Sequence, residues 1–180
     1  MLRWIFCLLV LAPTTVLADS SHGSKKWLVD LGGKTANIVG LDKPLTGVRA
    51  GVVLPRNINI AAEAFTLTEP LTSQHGDNYR KQVSYNYFGV HAEYSYKLSV
   101  RWSVLSGLSA GVGIGTFEEK NGDVVSSTDK TYASAEPSLS LSARVVKSMW
   151  LNVGASYFLV GNKPGFKNSA SLNLFARYMW

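Results

Sequence analysis

Apolar and polar residues alternate with a period of two in eight segments of the chain. In MWLNVGASYFLV, residues 149–160, every odd position from 151 to 159 is apolar, and the positions between them are mixed or polar. Successive side chains of a strand point to opposite faces, so alternation of this length predicts strands and not helices. The predicted strands are 27–33, 46–54, 57–68, 83–96, 101–117, 131–146, 149–160 and 171–180.

The connections between these strands alternate in length. Short turns are predicted at 55–56, 97–99 and 147–148, and long polar loops at 34–46, 69–81, 118–130 and 161–168. An even number of strands with short turns on one side and long loops on the other is typical of an outer-membrane barrel. The sequence therefore predicts an all-β fold, an eight-stranded antiparallel transmembrane up-and-down β-barrel. In hydrocarbon such a sheet must close, because every backbone N–H and C=O needs an internal partner.

The first 18 residues, MLRWIFCLLVLAPTTVLA, have the pattern of a secretory signal peptide. Arg3 precedes a short apolar run, Pro13 interrupts that run, and Val16 and Ala18 are small residues at the expected cleavage positions. We therefore predict a signal peptide over 1–18 and a barrel domain over 19–180. Cys7 is the only cysteine and lies within the signal, so no disulfide is expected in the barrel.

The signal peptide, the eight alternating segments and the ending FARYMW together resemble small outer-membrane barrel proteins of the OmpX/Ail and OmpA-barrel type. The resemblance implies export through the periplasm to the cell outer membrane. It also implies that Tyr178 and Trp180 form the terminal signal read by the barrel-assembly machinery. This scaffold carries many functions, so the resemblance is specific for architecture and not for activity.

Charge narrows the range of partners. Without Arg3, seventeen lysines and arginines remain against 12 acidic residues, a net charge of about +5, and the basic residues form no run. Nucleic acid is therefore not expected as a partner, whereas outer-membrane lipid and lipopolysaccharide are. No cysteine or paired-histidine spacing suggests a metal, and no cofactor is expected. The barrel is expected to be a monomer.

The faces opposite the apolar ones carry charged residues of both signs, which would point into the lumen. Eight strands leave an interior just wide enough for side chains to fill it, and a buried unpaired charge is costly. We therefore expect ion pairs that plug the barrel, formed by Asp30, Arg49, Glu63, Glu93, Arg101, Glu136, Arg144 and Arg177. The alternating glycines of GLSAGVGIG, 107–115, are expected to make room for large lumenal neighbours such as Phe65, Tyr85 and Tyr87.

Some barrels of this size modify lipid A, which requires a nucleophile, a base and an orienting carboxylate. The weak candidates are His91, Glu93 and Ser95, which share one strand face. Side chains two residues apart on a strand stand about 7 Å apart, too far for direct hydrogen bonds without partners from other strands. The trio also points into the lumen, and no lipid A deacylase motif is present. His91 is therefore expected to be structural, and the protein is expected not to be an enzyme.

These observations favour a surface contact, adhesion or envelope-defence protein that acts through its extracellular loops. The lumen is expected to be plugged, so a host or surface protein would bind the loops 69–81 and 118–130. Residues 81–96, 100–117 and 131–146 are long enough to rise beyond the membrane and to offer a sheet edge to a foreign strand. The alternatives are a lipid A-modifying hydrolase or acyltransferase and a narrow channel for small solutes or ions.

Overall fold

The computed structural model describes residues 26–38, 41–75, 79–121, 124–160 and 167–180, with backbone alone at 38, 41, 73–75, 79–80 and 121. The signal peptide predicted over 1–18 and most of the loop 161–168 lie outside these residues. The strands are β1 Lys26–Ile38, β2 Leu41–Leu54, β3 Ile58–Leu67, β4 Leu71–His75, β5 Tyr79–Lys97, β6 Trp102–Asn121, β7 Val124–Val146, β8 Met149–Val160 and β9 Ser169–Met179.

The strands form one antiparallel ring. Each strand pairs with its neighbours in sequence except that β3 and β4 do not pair with each other. Both pair with β5 instead, and β1 pairs with β9. β3 and β4 lie one after the other along the same side of β5 and together count as one strand of the ring. The break between them includes Pro70, which has no N–H to donate to a neighbouring strand. The architecture is therefore the eight-membered antiparallel ring that the sequence predicts. Within the described residues, no helix is long and apolar enough to cross a membrane.

Three segments predicted as long loops consist mostly of strand. β1 and β2 are paired from Lys26 to Ile38, β4 and β5 extend through most of 69–81, and β6 and β7 extend through most of 118–130. The prediction fails in these three segments because the strand ends far from the short turns lack the apolar alternation of the barrel wall. Apart from Val124 and Val125, residues 118–130 are polar on both faces, so the composition is that of a loop although most of the backbone is paired.

The outer wall is apolar and the interior is polar at one end and aromatic at the other. Exposed large apolar side chains include Leu31, Val90, Leu108, Leu139, Leu141, Leu151, Val153, Leu172 and Leu174. Of the positions that alternation places on the lipid face, Leu141, Leu151 and Leu172 are exposed, and Val104 is half-buried. A closed sheet with such an outer wall is matched to lipid, because water would not favour so large an apolar surface.

Candidate functional site

Arg177 of β9 lies at the centre of a buried ion-pair network in the lumen. Its guanidinium donates to both carboxylate oxygens of Asp30 on β1, at 2.7 and 2.8 Å, and to both of Glu93 on β5, at 2.6 and 3.1 Å. Asn59 Nδ2 donates to Glu93 Oε1 at 2.7 Å. All four side chains are buried, so this network joins opposite parts of the ring through the lumen.

Two further pairs fill the middle of the lumen. Arg49 Nε donates to Glu63 Oε2 at 2.8 Å, and its guanidinium carbon lies 4.2 Å from the centre of the Phe175 ring. Lys34 pairs with Glu136, and the Lys34 ammonium lies 4.3 Å from the centre of the Phe65 ring. Lys34 was not among the predicted lumenal residues because it was assigned to a loop. Lys34 is four residues after Asp30 on the same strand, so alternation would place both side chains on the inward face.

Six of the eight predicted lumenal charges are buried in these pairs, and two are not: the prediction for Arg101 and Arg144 was wrong. Arg101 is exposed in the bend that precedes β6, where strand alternation no longer applies. The β7–β8 register shifts between Arg144 and Val146, and Arg144 Nη2 donates to the backbone carbonyl of Lys147 at 2.8 Å. Both arginines therefore lie at the short-turn end of the barrel, and neither belongs to the buried ion-pair network.

The structure gives His91 a different hydroxyl partner from the one expected. His91 Nδ1 lies 2.8 Å from the Oγ of Ser109, which is directly opposite on β6, and His91 Nε2 lies 3.4 Å from Glu93 Oε2. The side chains of His91 and Glu93 lean together although they are two residues apart on one strand. Partners from other strands hold both of them, Ser109 at His91 and Arg177 at Glu93. Ser95 forms no hydrogen bond with this pair. The hydroxyl of Ser109, the imidazole of His91 and the carboxylate of Glu93 thus contact one another in a row, but all three groups are buried inside the lumen.

Charge within the lumen is nearly balanced. The buried carboxylates among the described residues are Asp30, Glu63, Glu93 and Glu136, and the buried cationic side chains are Lys34, Arg49 and Arg177. His91, bonded to one of these carboxylates, is the remaining nitrogen base of the network. Within the described ranges, no group of three or more His, Cys, Asp or Glu side chains could hold a metal ion.

An apolar and aromatic layer lies on the long-hairpin side of this polar network. Its buried members are Ala36, Leu45, Phe65, Leu67, Val83, Tyr85, Tyr87, Tyr132, Phe158, Val160 and Phe175. Glycines make room for the rings, as expected. A Cβ at Gly113 would lie 2.1 Å from the Tyr85 hydroxyl oxygen, and one at Gly111 would lie 2.8 Å from that of Tyr87. Any larger side chain at these glycines would displace the layer.

The strands β4 to β7 extend on this side into a protruding sheet. β7 pairs with β8 only from Ser134 onwards in the described chain, so its ten residues Val124–Ala133 pair with β6 alone. On this sheet Lys81 pairs with Glu119 at 2.5 Å, and the Lys130 ammonium lies 5.1 Å from the centre of the Phe117 ring. These side chains line a small groove of about 180 Å³. Within the described residues, the sheet thus has an unpaired backbone edge and a charged surface.

The chain end closes the ring. The Trp27 N–H donates to the Trp180 carbonyl at 3.0 Å, and the Trp180 N–H donates to the Trp27 carbonyl at 3.2 Å. Tyr178 and Trp180 both face outward, with ring centres 5.4 Å apart. Their aromatic surface lies at the level expected for an interfacial girdle.

No family model matches this chain, and no curated protein matches it by sequence. Solved structures do. The N-terminal barrel of Pseudomonas aeruginosa OprF has a TM-score of 0.59 at 13% identity, over 86% of this chain and 97% of that chain. Yersinia pestis Ail, solved with the heparin analogue sucrose octasulfate, has a TM-score of 0.60 at 10% identity, over 87% and 99%. Neisserial surface protein A has a TM-score of 0.55 at 14% identity, over 89% and 98%.

These likenesses concern the fold, and the apolar outer wall and paired ring agree with it. The chain thus has the fold of the small outer-membrane β-barrel proteins of the OmpX/Ail and OmpA-barrel type.

Proposed function

We propose that this protein is a surface contact protein whose protruding sheet, β4 to β7, binds a partner at the cell surface, in adhesion or envelope defence. The observation that carries the proposal is the edge Val124–Ala133, ten residues of strand that pair on one side only among the residues the structure describes. An unpaired edge can accept an extended segment of another protein, which gains backbone hydrogen bonds there. Residues 126–131 of this edge are polar or charged, so water can solvate the edge while no partner is bound.

The lumen supports the same proposal because it is packed with side chains. The Arg177 network fills the short-turn half, and the aromatic layer around Phe65 and Tyr87 fills the long-hairpin half. We infer from these side chains that the lumen is plugged and leaves little room for a permeating solute. His91 and Ser109 are buried, so the pair is not exposed to a lipid substrate. Partner binding would then fall to the exposed hairpins, which the rigid barrel displays.

Ail offers a second supporting point. It was solved with a heparin analogue, a highly sulfated ligand. The protruding sheet of this chain carries Lys81, Lys120 and Lys130 among its acidic residues. Binding of a charged partner there would be sensitive to salt, because exposed charges are screened.

The test is a hairpin shortened in register. Phe117 and Thr128 are directly opposite, so removing 118–127 and joining them through Asn-Gly preserves the pairing below. We expect this variant to fold and to lose adhesion or serum survival, with lipid A unchanged. The matched control removes 37–42 from the β1–β2 hairpin and joins the opposite residues Ala36 and Lys43 through the same Asn-Gly turn. It should keep both activities.

A second variant, His91→Ala, separates this proposal from its rivals. We expect it to keep adhesion, serum survival and the lipid A mass spectrum of the parent, provided that the barrel folds. A changed lipid A spectrum in folded His91→Ala, with normal adhesion in the shortened hairpin, would point to the hydrolase instead. A steady conductance in planar bilayers would point to a channel.

We also propose that Tyr178 and Trp180 serve as the assembly signal. Deleting Trp180 removes two backbone hydrogen bonds to Trp27 as well as the terminal ring. We expect export to continue and the folded, heat-modifiable band on gels of membrane extracts to be lost. Trp180→Phe, which keeps both hydrogen bonds and an aromatic ring, should restore that band. Normal levels of folded barrel from the deletion would contradict the assignment.

A further inference from the structure

Among the described residues, the short-turn end of the barrel carries exposed basic side chains and no acidic ones. Residues 26–29, 54–58, 95–104, 142–151 and 177–180, which make up this end, contain no Asp or Glu. Apart from Arg177, which is buried in the lumen, the basic side chains of these residues are called here the basic rim: Lys26, Arg56, Lys97, Arg101, Arg144 and Lys147. Five of the six are exposed, and Arg144 is half-buried.

The fold brings some of these like charges together. The Arg144 N–H donates to the Arg101 carbonyl at 2.8 Å, so the β5–β6 and β7–β8 turns meet with an arginine on each side. Arg56 occupies a left-handed backbone position, φ 64°, that is unusual for a residue other than glycine, asparagine or aspartate. Adjacent like charges repel one another unless an anion lies nearby. The opposite end differs, because acidic Asp42, Glu69, Glu118 and Asp129 accompany its lysines.

The aromatic residues fix the depth of the rim. All four tryptophans of the described chain, Trp27, Trp102, Trp150 and Trp180, lie at the short-turn end. Aromatic rings of this kind lie at the level of lipid headgroups. The basic side chains of the turns therefore lie at, or just beyond, the phosphates of the leaflet on the short-turn side.

We propose that the basic rim binds the headgroups of anionic phospholipid in the leaflet at the short-turn side of the barrel. Guanidinium and ammonium groups donate charge-assisted hydrogen bonds to phosphate oxygens. Clusters of four or more such groups beside a membrane segment are typical of anionic-lipid recognition. Neutral headgroups would satisfy the phosphate contacts but would leave the excess positive charge of the rim uncompensated.

The tryptophans supply the measurement. The mature protein, refolded in phosphatidylcholine vesicles, is titrated with brominated phosphatidylglycerol or brominated phosphatidylcholine, and tryptophan quenching reports which lipid lies at the rim. We expect phosphatidylglycerol to be enriched at least about threefold over phosphatidylcholine. In 1 M salt, where the Debye length is about 3 Å, the enrichment should disappear.

Two matched triple variants make the experiment specific. Arg56→Gln, Lys97→Gln and Arg101→Gln together should bring the enrichment close to onefold. Lys120→Gln, Lys130→Gln and Lys167→Gln, which remove three charges from the opposite end, should leave it unchanged. Heat-modifiable gel migration verifies that both variants fold.

Three results would overturn the proposal. The first is equal quenching by the two brominated lipids in the parent protein. The second is equal loss of enrichment in both triple variants, which would mean that net charge alone attracts the lipid. The third is rim-dependent binding of soluble polyphosphate without any lipid selectivity, which would assign the rim to a soluble polyanion.

Discussion

Replacing Arg177 with methionine is expected to destabilise the folded barrel by about 3–5 kcal/mol. The guanidinium donates to Asp30 and Glu93, both of which are buried. Methionine keeps much of the side-chain volume but leaves two carboxylates close together without their cation. The cost of removing these two carboxylates from water would then no longer be offset by hydrogen bonds to the guanidinium. Urea unfolding of the barrel in lipid vesicles, followed by heat-modifiable migration, measures the loss.

Arg144→Met is the matched control for this change. Strand alternation predicts both arginines on the inward face. Arg144, however, lies at the rim, and its guanidinium donates a hydrogen bond to the backbone carbonyl of Lys147 and to no carboxylate. Its replacement is expected to cost about 1 kcal/mol or less. A triple variant, Arg177→Met with Asp30→Asn and Glu93→Gln, should recover much of the lost stability because no buried charge is left unpaired. Equal costs for the two single methionine variants would contradict the assignment of the network.

A charge on the outer wall should have the second largest effect. Leu141 is exposed on the membrane-facing part of β7, one step deeper than Ala143, the partner of the interfacial Trp102. Leu141→Arg is therefore expected to cost up to about 2–4 kcal/mol. The cost arises because the guanidinium must either leave water or distort the lipid around it. The free energy of unfolding in lipid vesicles is the measurement.

Depth provides the control for Leu141→Arg. Val145 is also exposed on β7 but lies beside the short turn, so Val145→Arg should cost only about 0–1 kcal/mol. Leu141→Phe should be close to the parent because it keeps the surface apolar. If arginine is tolerated equally at the two positions, Leu141 does not face hydrocarbon.

Much of the fold could be predicted from the sequence where each strand lies between lipid and lumen. There the two environments differ sharply, so residues such as Leu151 and Asn152 alternate and reveal both the strand and its facing. Where β6 and β7 rise into the protruding sheet, the contrast is lost. Residues 118–130 therefore have the composition of a loop, although Glu118 and Ser127 are paired across two strands.

The sequence predicted correctly which side chains point into the lumen for only some of the charged residues. Alternation put Asp30, Arg49, Glu63 and Arg177 inside the barrel, since each lies within a regular strand. It failed for Arg101, which lies in a bend, for Arg144, which is next to a register shift, and for Lys34, which was assigned to a loop.

The sequence by itself determined the strand number, the apolar outer wall and the presence of opposite charges inside, because these follow from local alternation. Which charges meet was decided only by the tertiary structure. Arg177 reaches Asp30 and Glu93, and His91 reaches Ser109, through pairings between strands. The open edge of β7 and the basic rim likewise depend on where neighbouring strands end. The physical reason is that register and ring closure arise from backbone hydrogen bonds between distant segments, which no local pattern of side chains encodes.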